Sequence, residues 1–291
     1  MPKQWIHNVL KQRIITAIIL ALIFITATVF LSSFSYSLFV TIVVLAASWE
    51  WCAFIGLAKQ VAKVSYLATL GSMIIALYFF LGIVPESLVI NSYRAGIILG
   101  LGILFWVLTF FMLKGYPSNS DRWNNKSKIA LMGLMALIPT WVGVVQIKYL
   151  NPQGFLLLGM VVMVAAADIG AYFVGKRIGK NRLAPSLSPN KTWEGVLGGF
   201  AACLLVGILL IWLLHSYLIT LSNGQILILV LLSLVVMLFD VIGDLLESML
   251  KRNRDLKDSG KILPGHGGIL DRVDGLLAVT PIFVLTFLII E

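Results

Sequence analysis

Nine of the chain's 13 carboxylates fall between Asp168 and Asp274, so this is the stretch in which to look for chemistry. Asp240, Asp244 and Glu247 recur at i, i+4 and i+7, a spacing that sets three acids on one stripe of a helix. Lys251 carries the stripe one turn further. Asp271 follows Asp244 by 27 residues, and Asp274 stands at i+3 from it. Two acidic helix ends joined by one loop can converge on a divalent cation, which typically takes one or two carboxylates and shares substrate phosphates. The intervening stretch supplies the phosphate side. Ser248–Asp274 holds six Lys or Arg residues, four Asp, one His and a Pro-Gly-His-Gly-Gly turn at 264–268. Carboxylates, cations and a glycine turn that lets backbone N–H groups approach an anion suit metal-assisted handling of phosphates.

His266 in that turn could contact a phosphate, assist a leaving pyrophosphate as an acid, or simply complete a structural turn. With three histidines in the chain and no cysteine nearby, it does not belong to a zinc site. Asp255 sits among basic residues and reads as part of a solvated charge run. Asp240 is open between a structural partner and support for a metal's ligands. Asp168, in AAADIGAYFVG, lies inside an apolar run flanked by Ala165, Ala166, Ala167, Gly170 and Ala171. An intramembrane carboxylate points to function, with a helix-to-helix hydrogen bond as the alternative, and its small neighbours allow close helix approach.

A second basic stretch, 175–195, carries Lys176, Arg177, Lys180, Arg182 and Lys191 against Glu194. Ser188 followed by Pro189 reads as an N-cap with proline at the first helical position. A helix starting there would offer N–H groups to a phosphate, with Lys191 in its first turn and Thr192 beside it. Lys176, Arg177 and Lys180 read as membrane-facing charge, and Trp193 as an interfacial anchor.

The elements that position these groups are membrane helices. The chain of 291 residues is 59% apolar and 12% charged, with a mean hydropathy of +0.98, far from soluble averages. Nine spans are expected: Ile14–Leu31, Leu38–Leu57, Val64–Val84, Ala95–Leu113, Ile129–Ile147, Phe155–Val174, Val196–Leu214, Ile226–Leu246 and Leu276–Ile290. Alternate loops, counted from the N-terminus, then hold 20 of the 22 Lys and Arg residues, leaving Arg94 and Lys148 on the other side. The positive-inside rule places the N-terminus and basic loops in the cytoplasm and the C-terminus outside. The net charge of +9 is accounted for by this distribution, without nucleic acid as a partner. The first run follows Lys11 and Arg13 without a small-residue cleavage site and reads as an uncleaved anchor. Cys52 and Cys203 both fall within spans and imply no disulfide framework. The expected architecture is an all-α polytopic membrane protein of one domain. A helical scaffold half spans 1–150, a catalytic half spans 151–291, and a polar cavity opens at the cytoplasmic edge.

Three stretches resemble the phosphatidate cytidylyltransferase (CDP-diacylglycerol synthase) family. They are A-D-x-G-A-Y at 167–172, S-P-x-K-T-W-E-G at 188–195, and the terminal signature S-x-L-K-R, K-D-S-G, P-G-H-G-G and D-R-x-D between Ser248 and Asp274. Ile169 departs from the family's usual hydroxyl at that position. The resemblance implies transfer of a cytidylyl group from CTP to phosphatidate, giving CDP-diacylglycerol and pyrophosphate, at the cytoplasmic face of a bacterial-type inner membrane. It implies metal ligation, by Mg²⁺ with room for a second cation, at Asp244 and Asp271, with Asp168 a further candidate. Asp244, Asp271, Lys257 and His266 are the expected catalytic residues. Lys191, Thr192, Ser188, Lys251, Arg252 and Arg272 are the expected substrate contacts. The bilayer is a partner, and a homodimer is left open.

The residues fit that reaction. A phosphate monoester is mostly dianionic at neutral pH, because its second pKa is near 6, so phosphatidate needs no strong general base. The difficulty is bringing it to an even more highly charged nucleotide. A secondary transporter would also place acids in the membrane, near the midplane between repeated halves, but these acids gather at one edge and no repeat is visible. A CTP-dependent lipid kinase remains as an alternative. An alcohol phosphatidyltransferase would carry a D-G-x-x-A-R element that this chain lacks.

Overall fold

In hydrocarbon an apolar chain can satisfy its backbone only as helices or closed barrels. The computed structural model describes residues 2–290, with side chains described for Gln12 and from Ile14 onward; Lys11 and Arg13 lie outside the described side chains. The described elements are α1 (Pro2–Phe30), α2 (Ser33–Ile55), α3 (Gln60–Leu81), α4 (Ser92–Lys114), α5 (Ser120–Trp123), α6 (Lys126–Leu150), α7 (Phe155–Ile178), β1 (Arg182–Ala184), β2 (Ser188–Thr192), α8 (Trp193–Tyr217), α9 (Asn223–Arg252) and α10 (Leu270–Ile290).

Among the described residues eight helices are long and apolar enough to cross a membrane: α2, α3, α4, α6, α7, α8, α9 and α10. The first of the nine expected spans corresponds to the apolar part of α1, Ile14–Phe30, which is shorter. Polar caps mark the ends. Ser32, Asn91 and Asn125 each accept the N–H three residues on, at the starts of α2, α4 and α6. Ser222 and Gln225 form a reciprocal capping box at α9. Gly56 and Gly82 end α2 and α3 in the left-handed conformation.

The most enclosed helix is α6, where Trp141, Val142 and Val145 are fully buried, and α2, α4 and α10 pack around it. Trp51 Nε1 and Tyr66 Oη donate to the Ile129 and Ala130 carbonyls at 2.9 and 3.0 Å, tying α2 and α3 to the start of α6. Phe30, Phe79 and Leu205 stand exposed on the outside, as suits a surface facing lipid. The two cations on the sparse side are both tied to carbonyls. Arg94 donates to Phe80 O at 2.7 Å, and Lys148, wholly buried, donates to Thr28 O and Pro152 O.

One expectation needs correction. The described helices carry the fold as expected, and the segment between α7 and α8 adds a short antiparallel hairpin, β1 with β2, in which Ala184 pairs with Ser188 and Arg182 with Thr192. Ser188 therefore does not cap a helix. Ser188–Thr192 is a strand, Thr192 is the N-cap of α8, and its Oγ1 accepts the Gly195 N–H at 3.1 Å. The Ser-Pro signal is overridden by pairing across the hairpin, which Glu194 closes by accepting from the Lys180 and Asn181 backbones and the Asn181 side chain. Lys191 thus projects from a strand, one residue before the cap.

Candidate active site

Four helices and the hairpin make the site. The expected small-residue interface is present. A Cβ on Gly195 would come within 2.9 Å of the Ala171 carbonyl, and one on Gly199 within 2.9 Å of the Ala167 carbonyl. Thus α7 and α8 approach backbone to backbone. On the other side Gly243 of α9 lies against the Asp274 and Gly275 backbone of α10.

Between α7, the hairpin, α8 and α9 lies a cavity of about 720 Å³, lined by Asp168, Lys176, Arg182, Lys191, Thr192 and Asp240 among others. Asp168 comes from the middle of α7 and is open to this space, while Asp240 is 4% exposed. One turn beyond Asp240, Asp244 forms an ion pair with Lys191 and accepts from Ser248 Oγ at 3.2 Å. Asp168, Asp240 and Lys191 line the cavity together, and Lys191 holds Asp244 at its edge. Three acids therefore gather around one lysine.

A second charged cluster adjoins the first. Lys251 bridges Glu247 at 2.7 Å and Asp271 at 2.8 Å, so the expected i, i+4 pair on α9 is present. Asp271 Oδ2 also accepts from Ser259 N, Ser259 Oγ and Gly268 N at 2.9, 3.0 and 2.8 Å. Asp271 thus gathers the loop 253–269 onto the start of α10. That loop carries a type II-like turn. Pro264 precedes Gly265, which has φ +75°, and the His266 N–H donates to Leu263 O at 3.0 Å. Arg272 secures it by donating to the His266 carbonyl at 2.9 Å. Among the described residues His266 Nδ1 is buried without a hydrogen-bond partner.

Of the residues singled out from sequence, Lys191, Asp168 and Thr192 line the cavity, and Asp244 joins them through its ion pair with Lys191. Lys251 and Asp271 form the adjoining cluster. Arg252 reaches back to the hairpin, its Nε 3.4 Å from Leu187 O. Lys257 is exposed on the loop. Ser188, at the far end of β2, does not line the cavity. Two of the turn's four N–H groups, those of His266 and Gly268, are committed within the protein.

One residue that sequence reasoning passed over is Glu50. Only 3% exposed on α2, it accepts from Ser259 Oγ at 3.2 Å, Ile269 N at 3.0 Å and Leu270 N at 2.9 Å. A carboxylate so placed satisfies the first free N–H groups of α10 and complements its dipole. Its signal in the sequence was its isolation: one acid inside an otherwise apolar helix. Arg254 makes a similar cross-chain contact, donating to the last carbonyls of α2 at Phe54 and Ile55.

The donor set suits a hard divalent cation. Among the described residues no three His, Cys, Asp or Glu side chains form a ready-made metal cage. However, Mg²⁺ commonly uses one or two carboxylates and takes the rest of its shell from phosphates and water. Asp168, Asp240 and Asp244 fit that pattern, and Asp244 and Asp271 alike have protein donors on both carboxylate oxygens.

Comparison with known proteins agrees with the motifs. The model of the cytidylyltransferase family matches residues 11–290. A Pseudomonas aeruginosa protein named phosphatidate cytidylyltransferase is 39% identical over 274 residues, 94% of this chain and 95% of that protein. A Haemophilus influenzae protein of the same name is 32% identical over 286 residues, 94% and 97% of the two chains. A Bacillus subtilis one is 40% identical over 156 residues, 52% of this chain and 56% of that protein.

Proposed function

The chain belongs to the cytidylyltransferase family, and we propose that the cavity between Asp168 and Lys191 is where its two substrates meet. It transfers the cytidylyl group of CTP to the phosphate of phosphatidate, forming CDP-diacylglycerol and releasing pyrophosphate. The observation that carries this reading is the cavity itself: carboxylates on α7 and α9 and cations on the hairpin and α7 face one space, bounded by helices that cross a membrane.

The lipid phosphate brings its own charge as nucleophile, so the protein's task is neutralisation and alignment. Lys191 projects into the cavity from β2 and would trade part of its contact with Asp244 for a nucleotide phosphate. Lys251, held between Glu247 and Asp271, fixes the α9–α10 junction beside it. Asp244 and Asp168, with Asp240 behind them, would hold Mg²⁺, which when bound neutralises phosphate charge and favours in-line displacement. Asp271 would serve by holding the loop and, by exchanging a protein donor for the cation as Asp244 would, as a further ligand.

The hairpin and the loop 253–269 join helices at the same end of the bundle, and the stretches 175–195 and 251–272 around them hold 11 of the chain's 22 Lys and Arg residues. We place this end in the cytoplasm and the protein in a bacterial-type inner membrane. Purified protein supplied with labelled CTP and phosphatidate should form a CDP-lipid and pyrophosphate. Transfer of the γ-phosphate to a lipid instead would make it a kinase and refute the assignment. In intact cells, cysteines placed at Asn181 and Lys261 should resist membrane-impermeant thiol reagents. Labelling from outside would reverse the orientation.

A further inference from the structure

Three cations line the cavity, and their partners differ. Lys191 is paired with Asp244, and Arg182 donates to the Pro189 carbonyl within the hairpin. Lys176, in the last turn of α7, has no carboxylate partner among the described residues. Its ammonium touches only the Tyr172 hydroxyl, at 3.3 Å, and lies 5.5 Å from that ring's centroid. Both residues are exposed while lining the cavity. The sequence grouped Lys176 with Arg177 and Lys180 as membrane-facing charge, yet of these three only Lys176 lines the cavity.

Lys176 shares its helix face with apolar side chains at i−3 and i−7, Phe173 and Ile169. Ile169 and Phe173 on α7, and Trp193 and Leu197 on α8, are all exposed. A cation at the rim of a polar cavity, beside an aromatic hydroxyl and an apolar shoulder, matches a phospholipid, whose phosphate sits at the interface and whose chains lie in hydrocarbon. About two turns back along α7, Asp168, with Asp240 lining the same cavity, repels an anion that lacks a counter-charge. A lipid phosphate approaching from the bilayer therefore meets Lys176 first.

We infer that Lys176, steadied by Tyr172, binds the phosphate monoester of the lipid substrate at the membrane-side mouth of the cavity and is a specificity determinant for phosphatidate. This rests on the reaction proposed above. The same ammonium could in principle serve a nucleotide phosphate, so the test must separate the two substrates.

Lys176→Gln, Lys176→Met, Lys176→Arg and Arg177→Gln would be assayed in mixed micelles. Phosphatidate mole fraction is varied at saturating CTP, then CTP at saturating phosphatidate. Loss of one charge-assisted contact should raise the apparent KM for phosphatidate about ten- to a hundred-fold in the Gln and Met variants. The KM for CTP should be nearly unchanged, Lys176→Arg should recover most of the loss, and Arg177→Gln should match the wild type. Phosphatidate should raise the melting temperature of the wild type more than that of Lys176→Gln, a readout independent of turnover. An unchanged KM for phosphatidate in both neutral variants would overturn the inference, as would a rise confined to CTP. A wild type that makes no CDP-lipid would instead sink the proposed reaction.

Discussion

Glu50 ties the N-terminal half of the chain to the site, and its removal has a cost that can be estimated from its contacts. Glu50→Ala strands the N–H groups of Ile269 and Leu270, while the Ser259 hydroxyl keeps Asp271 as an acceptor at 3.0 Å. A buried N–H left without a partner costs about 1–3 kcal/mol, so two cost about 2–6 kcal/mol. The lost carboxylate at the start of α10 adds about 0.3–1 kcal/mol. Water entering the gap moves the total towards the lower end. Glu50→Gln keeps one acceptor oxygen and should cost about half as much. The start of α10 that Glu50 holds carries Asp271, and through it Lys251, so the loss should appear in catalysis as well as stability. With CTP and phosphatidate as substrates, Glu50→Ala should lower kcat/KM on the order of a hundred-fold, Glu50→Gln about tenfold, with melting temperatures falling in the same order. A Glu50→Ala protein within twofold of wild-type activity and melting at the same temperature would refute the role.

Further outcomes follow from the two charged clusters. Asp244→Asn should reduce turnover by more than about a hundred-fold and shift the Mg²⁺ dependence to higher concentration, because it removes charge from the cavity; EDTA should silence the wild type, and an unshifted Mg²⁺ titration would remove Asp244 from the metal site. Asp271→Asn should also abolish turnover, but with a lower melting temperature, since its oxygens serve Lys251 and the loop. Asp255→Asn, exposed on that loop, should change neither activity nor stability. Gly275→Ala should lower activity, because a Cβ there meets Asp240 Oδ1; wild-type kinetics would show that Asp240 can move without consequence.

Much of this arrangement can be read from local pattern. The spacing of Asp240, Asp244 and Glu247 placed them on one helix, and α9 carries all three. The pair Lys251–Glu247 follows from the same rule. The alanines and glycines around Asp168 announced the close approach of α7 and α8. What local pattern could not supply were partners distant in sequence: Lys191 with Asp244, and Glu50 with the start of α10. Ser188–Pro189 misled for the same reason, because a cap signal concerns a few residues and the hairpin's pairing depends on residues further back. Lys176 was hidden by composition. Five cations in one stretch look alike, and only the helical phase at the end of α7 separates Lys176, which lines the cavity, from Arg177, which does not.

The choice of aspartate and glutamate within the site follows from reach. Asp168, Asp240, Asp244 and Asp274 have short side chains, so helices must come close for their charges to share one space. Glycines allow this at the same level: Gly195 and Gly199 at the α7–α8 contact, Gly243 and Gly275 at the α9–α10 contact. Glutamate appears where a longer span is needed, as with Glu50 from α2 to α10 and Glu194 across the base of the hairpin. Even one extra methylene forced into a packed position costs about 1–3 kcal/mol. Asp240, with Gly275 against its oxygen, has no room for it. Helix separation and carboxylate length are thus one constraint. The small residues of α7 to α10 belong to the active site as much as the acids do, because without them the acids would not face the same cavity.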